Sequence, residues 1–142
     1  MTQEEKSILL QDLCARLPYG LKVKCGNTVT KEICELIGVN AEISSVSIKD
    51  IWAKYYLENF ASIKPYLRSM SSMTNEELED YEKARSLDVK DSCNAIEKKR
   101  KEEKYIASWY NGADWLNKNM FDYRGLIPMG LALEAKEGMY EY

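Results

Sequence analysis

Leu21-Lys22-Val23-Lys24-Cys25-Gly26-Asn27 decides the fold class of this chain. Leu21, Val23 and Cys25 alternate with Lys22 and Lys24, the period of a half-buried strand. Gly26-Asn27 is a turn signal. Upstream the period is different. Ile8, Leu9, Leu13 and Leu17 recur at helical spacing, so residues 2–17 read as a helix or turn. Leu17-Pro18-Tyr19-Gly20 stops it, because proline disfavours helix at the residue before it. Downstream the strand character continues through Val29, Ile33, Leu36, Ile37 and Val39, closed by Gly38-Val39-Asn40. Ile43, Val46 and Ile48 then interleave with serines. Ile51 to Phe60 is ambiguous: Trp52, Tyr55, Tyr56 and Phe60 fit a helix, yet aromatic residues also favour strands. Short strands with tight turns predict an α+β protein. It has a small antiparallel sheet or SH3-like barrel over about residues 20–68, followed by a helical C-terminal part.

Pro65 makes Ile63-Lys64-Pro65-Tyr66-Leu67-Arg68 an extended or turning crossing into that helical part. Thr74 with Glu77 three residues later forms a capping box, predicting a helix from Asn75 to about Ser86. A break over Leu87–Ser92 and a second helix to about Ile106 follow. The run Glu97–Lys104 alternates both signs of charge, as a solvated helix face does. Trp109, Ala113, Leu116 and Met120 place a further helix over about residues 108–120. Arg124-Gly125 is a turn, and any later short helix begins near Pro128. The whole is one domain, residues 1–142, with a β-rich part (1–68) and a helical cap (69–142).

Several segments carry a resemblance. Asp12-Leu13-Cys14-Ala15-Arg16-Leu17-Pro18-Tyr19-Gly20, Ile63–Arg68, Ser71-Ser72-Met73-Thr74 and the C-terminal stretch from Asp114 to Ala135 resemble small uncharacterised proteins of Bacteroidetes phages, prophages and mobile elements. Residues between about Leu87 and Ser108 match less. The resemblance implies strands over Ile51–Phe60. It implies no activity and carries over no catalytic residue. Members of that family often have His near the positions of Asn119 and Met120, and this chain has no His.

Composition excludes much. Without His, Ser-His-Asp and Cys-His nucleophilic systems and His-liganded metal sites are ruled out. No glycine-rich phosphate loop or dinucleotide fingerprint occurs. Cys14, Cys25, Cys34 and Cys93 match no zinc or redox spacing and read as reduced thiols. A net charge of −3 gives no general attraction to a nucleic acid polymer. No apolar run approaches the ~20 residues that span a membrane, and no leader pattern begins the chain. The expectation is a cytoplasmic protein of a bacterial host cell, without catalytic residues, metal or cofactor.

What remains is binding. Ten Tyr and three Trp are many for 142 residues, and both types are favoured at interfaces and pockets. Tyr66 with Arg68, and Asp122 and Tyr123 with Arg124, set aromatic faces beside cations suited to anions. These five residues are the candidate ligand site. The first function that fits is a non-enzymatic phage-type binding protein. It would sequester a small anionic ligand, such as a nucleotide signal of bacterial immunity, as a counter-defence sponge. Such sponges are commonly homo-oligomers. The alternative is a protein–protein interaction module, or an inhibitor of a host or phage protein. Within the loop, Arg124 could equally bridge Asp122 or another carboxylate and hold the cap in place.

Overall fold

Thr2 opens the first helix, α1 (Gln3–Arg16). Its hydroxyl accepts from the Glu5 N–H at 3.1 Å while the Glu5 carboxylate accepts from the Thr2 N–H at 2.8 Å. This reciprocal cap satisfies two donors that a helix start otherwise leaves open. Leu9 and Leu13 are fully buried, each contributing about 1.5–3 kcal/mol by leaving water. A 3-10 turn over Leu17–Tyr19 and Gly20 at φ 72° end the helix and turn the chain into the sheet. The structure, a computed structural model, describes residues 1–25, 33–85 and 112–140. The expected Gly26-Asn27 turn, the second helix to Ile106, Cys93 and the start of the helix near Ser108 lie outside the described residues.

The strands are β1 (Lys22–Cys25), β2 (Ile33–Asn40), β3 (Ser45–Lys49), β4 (Tyr55–Asn59), β5 (Ile63–Leu67) and β6 (Leu133–Glu134). They form one sheet in the order β4-β3-β2-β1-β5-β6. Neighbours are antiparallel except β5 and β6, which run parallel. Ile51–Phe60 thus resolves into a turn and a strand.

The sheet is open, not an SH3-like barrel. Closure would require β4 to pair with the outer edge of β5, and that edge is taken by the C-terminal segment through β6. A bulge between Leu36 and Gly38 sets Ile37 out of register, on the solvent side.

One face of the sheet carries the core. Leu21, Val23, Leu36, Val46, Ile48, Ile63 and Leu67 cluster there with Leu9 and Leu13 of α1 and with Met120, Leu126 and Leu131 of the C-terminal segment. The other face is partly wet, as antiparallel sheets allow. Ile33, Ile37, Tyr55 and Leu57 stand exposed.

Helix α2 (Asn75–Arg85) begins where the capping box predicts, with Glu77 N–H donating to the Thr74 hydroxyl at 3.2 Å and Thr74 N–H to the Glu77 carboxylate at 3.1 Å. Residues 112–118 form the described part of α3. Beyond it the chain is turns and β6 rather than helix. Gly125 and Gly130 adopt φ 77° and 75°, and Gly130 N–H closes a turn on Ile127 C=O, so nothing helical starts at Pro128. Among the described residues, no helix is long and apolar enough to cross a membrane.

Candidate functional site

The polar centre of the molecule lies where α1 meets the C-terminal segment. Asp12 and Arg16 sit one turn apart on the buried face of α1 and are both fully buried. Arg16 Nε donates to Asp12 Oδ2 at 2.9 Å. Arg16 Nη2 donates to Phe121 C=O at 2.6 Å and Nη1 to Leu116 C=O at 3.5 Å. Arg124 reaches the other oxygen, Nη1 donating to Asp12 Oδ1 at 2.7 Å and to Asn117 Oδ1 at 3.4 Å. The Tyr123 hydroxyl donates to the same Asn117 oxygen at 3.0 Å. The Tyr123 ring lies 4.5 Å from the Arg124 guanidinium and 5.7 Å from that of Arg16. Buried charges persist only when paired and hydrogen-bonded, and this cluster meets that condition within itself.

Arg68 belongs to a second network. It follows β5, and its N–H donates to Met120 C=O at 2.7 Å while its C=O accepts from Asp122 N–H at 2.8 Å. Its guanidinium forks onto Glu77, Nη1 to Oε2 at 2.7 Å and Nη2 to Oε1 at 2.8 Å, and lies 4.2 Å from the Phe121 ring centre. The Arg68 fork, then the Thr74 N–H, hold the Glu77 carboxyl below the usual glutamate range despite partial burial. Trp115 stacks on Phe121 at 5.8 Å and meets Tyr81 of α2 at 5.6 Å. α2, β5 and the C-terminal segment are thereby joined.

Asp122 serves a third purpose. It is buried, and its two oxygens accept from the N–H groups of Leu126 and Ile127 at 2.8 and 2.9 Å. It shapes the loop around Gly125 and leaves Arg124 to Asp12. Tyr66 is half-buried in β5 against the core, and its C=O accepts from the Tyr140 hydroxyl at 2.8 Å. That hydroxyl also accepts from the Lys22 N–H at 3.0 Å. It thus stands between β1 and β5 just past the Val23–Pro65 pair where their register ends. Lys22 Nζ donates to Met139 C=O, so the tail is tied to β1 twice.

The five residues expected at a ligand site therefore distribute over four internal arrangements. Arg68 pairs with Glu77, Tyr123 and Arg124 join Asp12 and Arg16, Asp122 braces the loop N–H groups of Leu126 and Ile127, and Tyr66 packs on the core with its C=O held by the Tyr140 hydroxyl. Asp12 and Arg16 are the residues that sequence reasoning passed over. The signal was available: an Asp and an Arg four apart, in phase with Leu9 and Leu13, put both charges on the apolar face.

Two clefts flank the tail segment 136–138. One, of about 500 Å3, lies against β2 and the β3–β4 turn, where Lys22, Lys49 and Lys136 are matched by Glu35, Asp50 and Glu137. The other, of about 610 Å3, lies beside α2, where Arg68 and Lys136 meet Glu77, Glu134 and Glu137. Neither has an excess of cations. Among the described residues no group of His, Cys, Asp or Glu is placed to hold a metal ion.

A different surface stands out at the β3–β4 hairpin. Asp50 organises its turn, accepting from the N–H groups of Lys54 and Trp52 at 2.9 Å each and from the Tyr56 hydroxyl at 3.2 Å. These donors, the Lys54 N–H first, keep the Asp50 carboxyl below its ordinary range. Ala53 takes φ 60° to complete the turn. The turn and the edge strand hold out Ile51 (68 % exposed), Trp52 (77 %), Tyr55 (67 %) and Leu57 (74 %). No family model, curated protein or solved structure matches the chain.

Proposed function

We propose that this protein is a non-enzymatic protein–protein interaction module that docks through the β3–β4 hairpin. The observation that carries the reading is the exposure of Ile51, Trp52, Tyr55 and Leu57 within seven positions on a braced turn and a sheet edge. Monomeric proteins seldom hold large apolar groups together in water without use for them. Trp and Tyr are the side chains that most often anchor interfaces. An edge strand offers backbone donors and acceptors as well.

Sequestration of a small anion at Tyr66, Arg68, Asp122, Tyr123 and Arg124 has less support. An anion would have to displace Glu77 from Arg68 or Asp12 from Arg124, and neither cleft has surplus positive charge.

Site-specific photocrosslinking tests the proposal. A crosslinker at position 57 is expected to give a discrete protein adduct in cell extract, lost on Trp52→Ala, while one at exposed Lys118 gives none. A panel of cyclic and linear nucleotides is expected to leave the melting temperature unchanged. No adduct, together with a saturable rise in melting temperature, would replace docking with anion sequestration.

A further inference from the structure

We propose that the occupant of the hairpin edge is a second copy of this chain, with β4 pairing antiparallel to β4 about a two-fold axis through Tyr56. The inference rests on the docking surface proposed above and names its partner.

The direction of the backbone groups comes first. Phe60 N–H donates to Ser44 C=O and Asp50 N–H to Lys54 C=O. In an antiparallel ladder such residues alternate, so Lys54, Tyr56 and Glu58 bond inward to β3. The N–H and C=O of Tyr55 and Leu57 point out from the edge. Among the described residues, no strand lies beyond β4.

The register follows from side chains. With Tyr56 on the axis, Tyr55 and Leu57 face Leu57 and Tyr55 of the partner subunit and exchange their outward hydrogen bonds. Their exposed side chains then form aromatic–aliphatic pairs on the outer face. On the inner face, Lys54 stands opposite Glu58 of the partner subunit and Glu58 opposite Lys54 of the partner subunit. The segment Lys54-Tyr55-Tyr56-Leu57-Glu58 is thus self-complementary in charge when reversed. Moving the axis to Leu57 sets Lys54 against Phe60 and Glu58 against Tyr56, and both direct ion pairs are lost. The ladder is bounded at one end by the Asp50 turn. At the other, the Asn59 C=O already accepts from the Ser62 hydroxyl at 2.7 Å.

So short a ladder makes a weak dimer, and sedimentation velocity over a range of concentrations reads it. The wild-type chain is expected to show reversible self-association with Kd tighter than about 1 mM. Lys54→Glu alone and Glu58→Lys alone are each expected to sediment as monomers. An equimolar mixture of the two should form a heterodimer, and the double variant K54E/E58K should recover the homodimer. Circular dichroism melting confirms that each variant folds. As a measurement free of variants, the Leu57 amide of the wild type should gain exchange protection with rising protein concentration. A wild-type monomer throughout, protection independent of concentration, or a dimer indifferent to both charge reversals would overturn the proposal. If a monomer still gives an adduct at position 57 with a different protein, only the second-copy assignment fails. If there is no adduct of any kind, the docking surface fails with it.

Discussion

Arg124 Nη1 donates to Asp12 Oδ1 at 2.7 Å, joining residues 112 positions apart. The same carboxylate receives Arg16, so one buried anion holds two cations from two parts of the chain. Removing the anion leaves Arg16 buried without a counter-charge, whereas removing Arg124 leaves the Asp12–Arg16 pair intact. Asp12→Asn is expected to cost about 3–5 kcal/mol, the loss for one side of a buried pair. Arg124→Ala, whose side chain is 23 % exposed, should cost about 1.5–3 kcal/mol, the worth of hydrogen bonds to charged groups. Urea denaturation orders the two, and the reverse order would show that Arg16 finds another partner.

Glu77 is both a cap and the acceptor of the Arg68 fork. Its folded pKa lies below the unfolded value of about 4.3. The stability it contributes is therefore present above that value and lost as pH falls through the folded pKa. Glu77→Gln should flatten the fall in stability below about pH 4. Thr74→Ala should cost about 0.5–2 kcal/mol and weaken that pH dependence far less than Glu77→Gln, because the Arg68 fork and the Thr74 N–H remain while the hydroxyl is the smallest of the groups that lower the Glu77 pKa. Melting curves taken from neutral to acid pH check both.

Tyr140→Phe removes one oxygen and leaves its ring in place. The Lys22 N–H and the Tyr66 C=O then lose the partner they share. The expected cost is about 1–3 kcal/mol for the unsatisfied backbone groups. The Lys22 amide should exchange faster with solvent, and an unchanged exchange rate would mean that β1 and β5 close on each other directly.

Trp52→Ala should change stability by no more than about 0.5 kcal/mol, because the side chain is 77 % exposed and only its N–H braces the turn. A large loss in thermal unfolding would mean that Trp52 is packed in the folded protein, and the docking surface would lose its anchor.

Local order was legible in the sequence. The alternation of Leu21, Val23 and Cys25, and the Thr74–Glu77 box, encode β1 and the start of α2 within a few residues. Tyr55–Asn59 was ambiguous because aromatic residues serve either element; β3 decides it by pairing from Ser45↔Asn59 to Lys49↔Tyr55. Barrel against open sheet depended on which segment reaches β5, and Leu133–Glu134 shows no strand signal of its own. At the candidate site, adjacency in sequence misled. Asp122 beside Arg124 suggested a pair, but the loop uses Asp122 for its own N–H groups, and Arg124 finds Asp12 on a helix at the other end of the chain.

The charge cluster also sets an order of events during synthesis. A chain emerging from the ribosome carries Arg16 for 105 residues before the carbonyl of Phe121 that receives it exists. Until then, seating α1 on the sheet would bury a guanidinium whose hydrogen bonds are incomplete. α1, with its internal Asp12–Arg16 pair, is therefore expected to seat fully on strands β1 to β5 only once the segment containing Phe121 and Arg124 has been made. An N-terminal fragment stopping at α2 would be a candidate for chaperone capture rather than a smaller version of the protein.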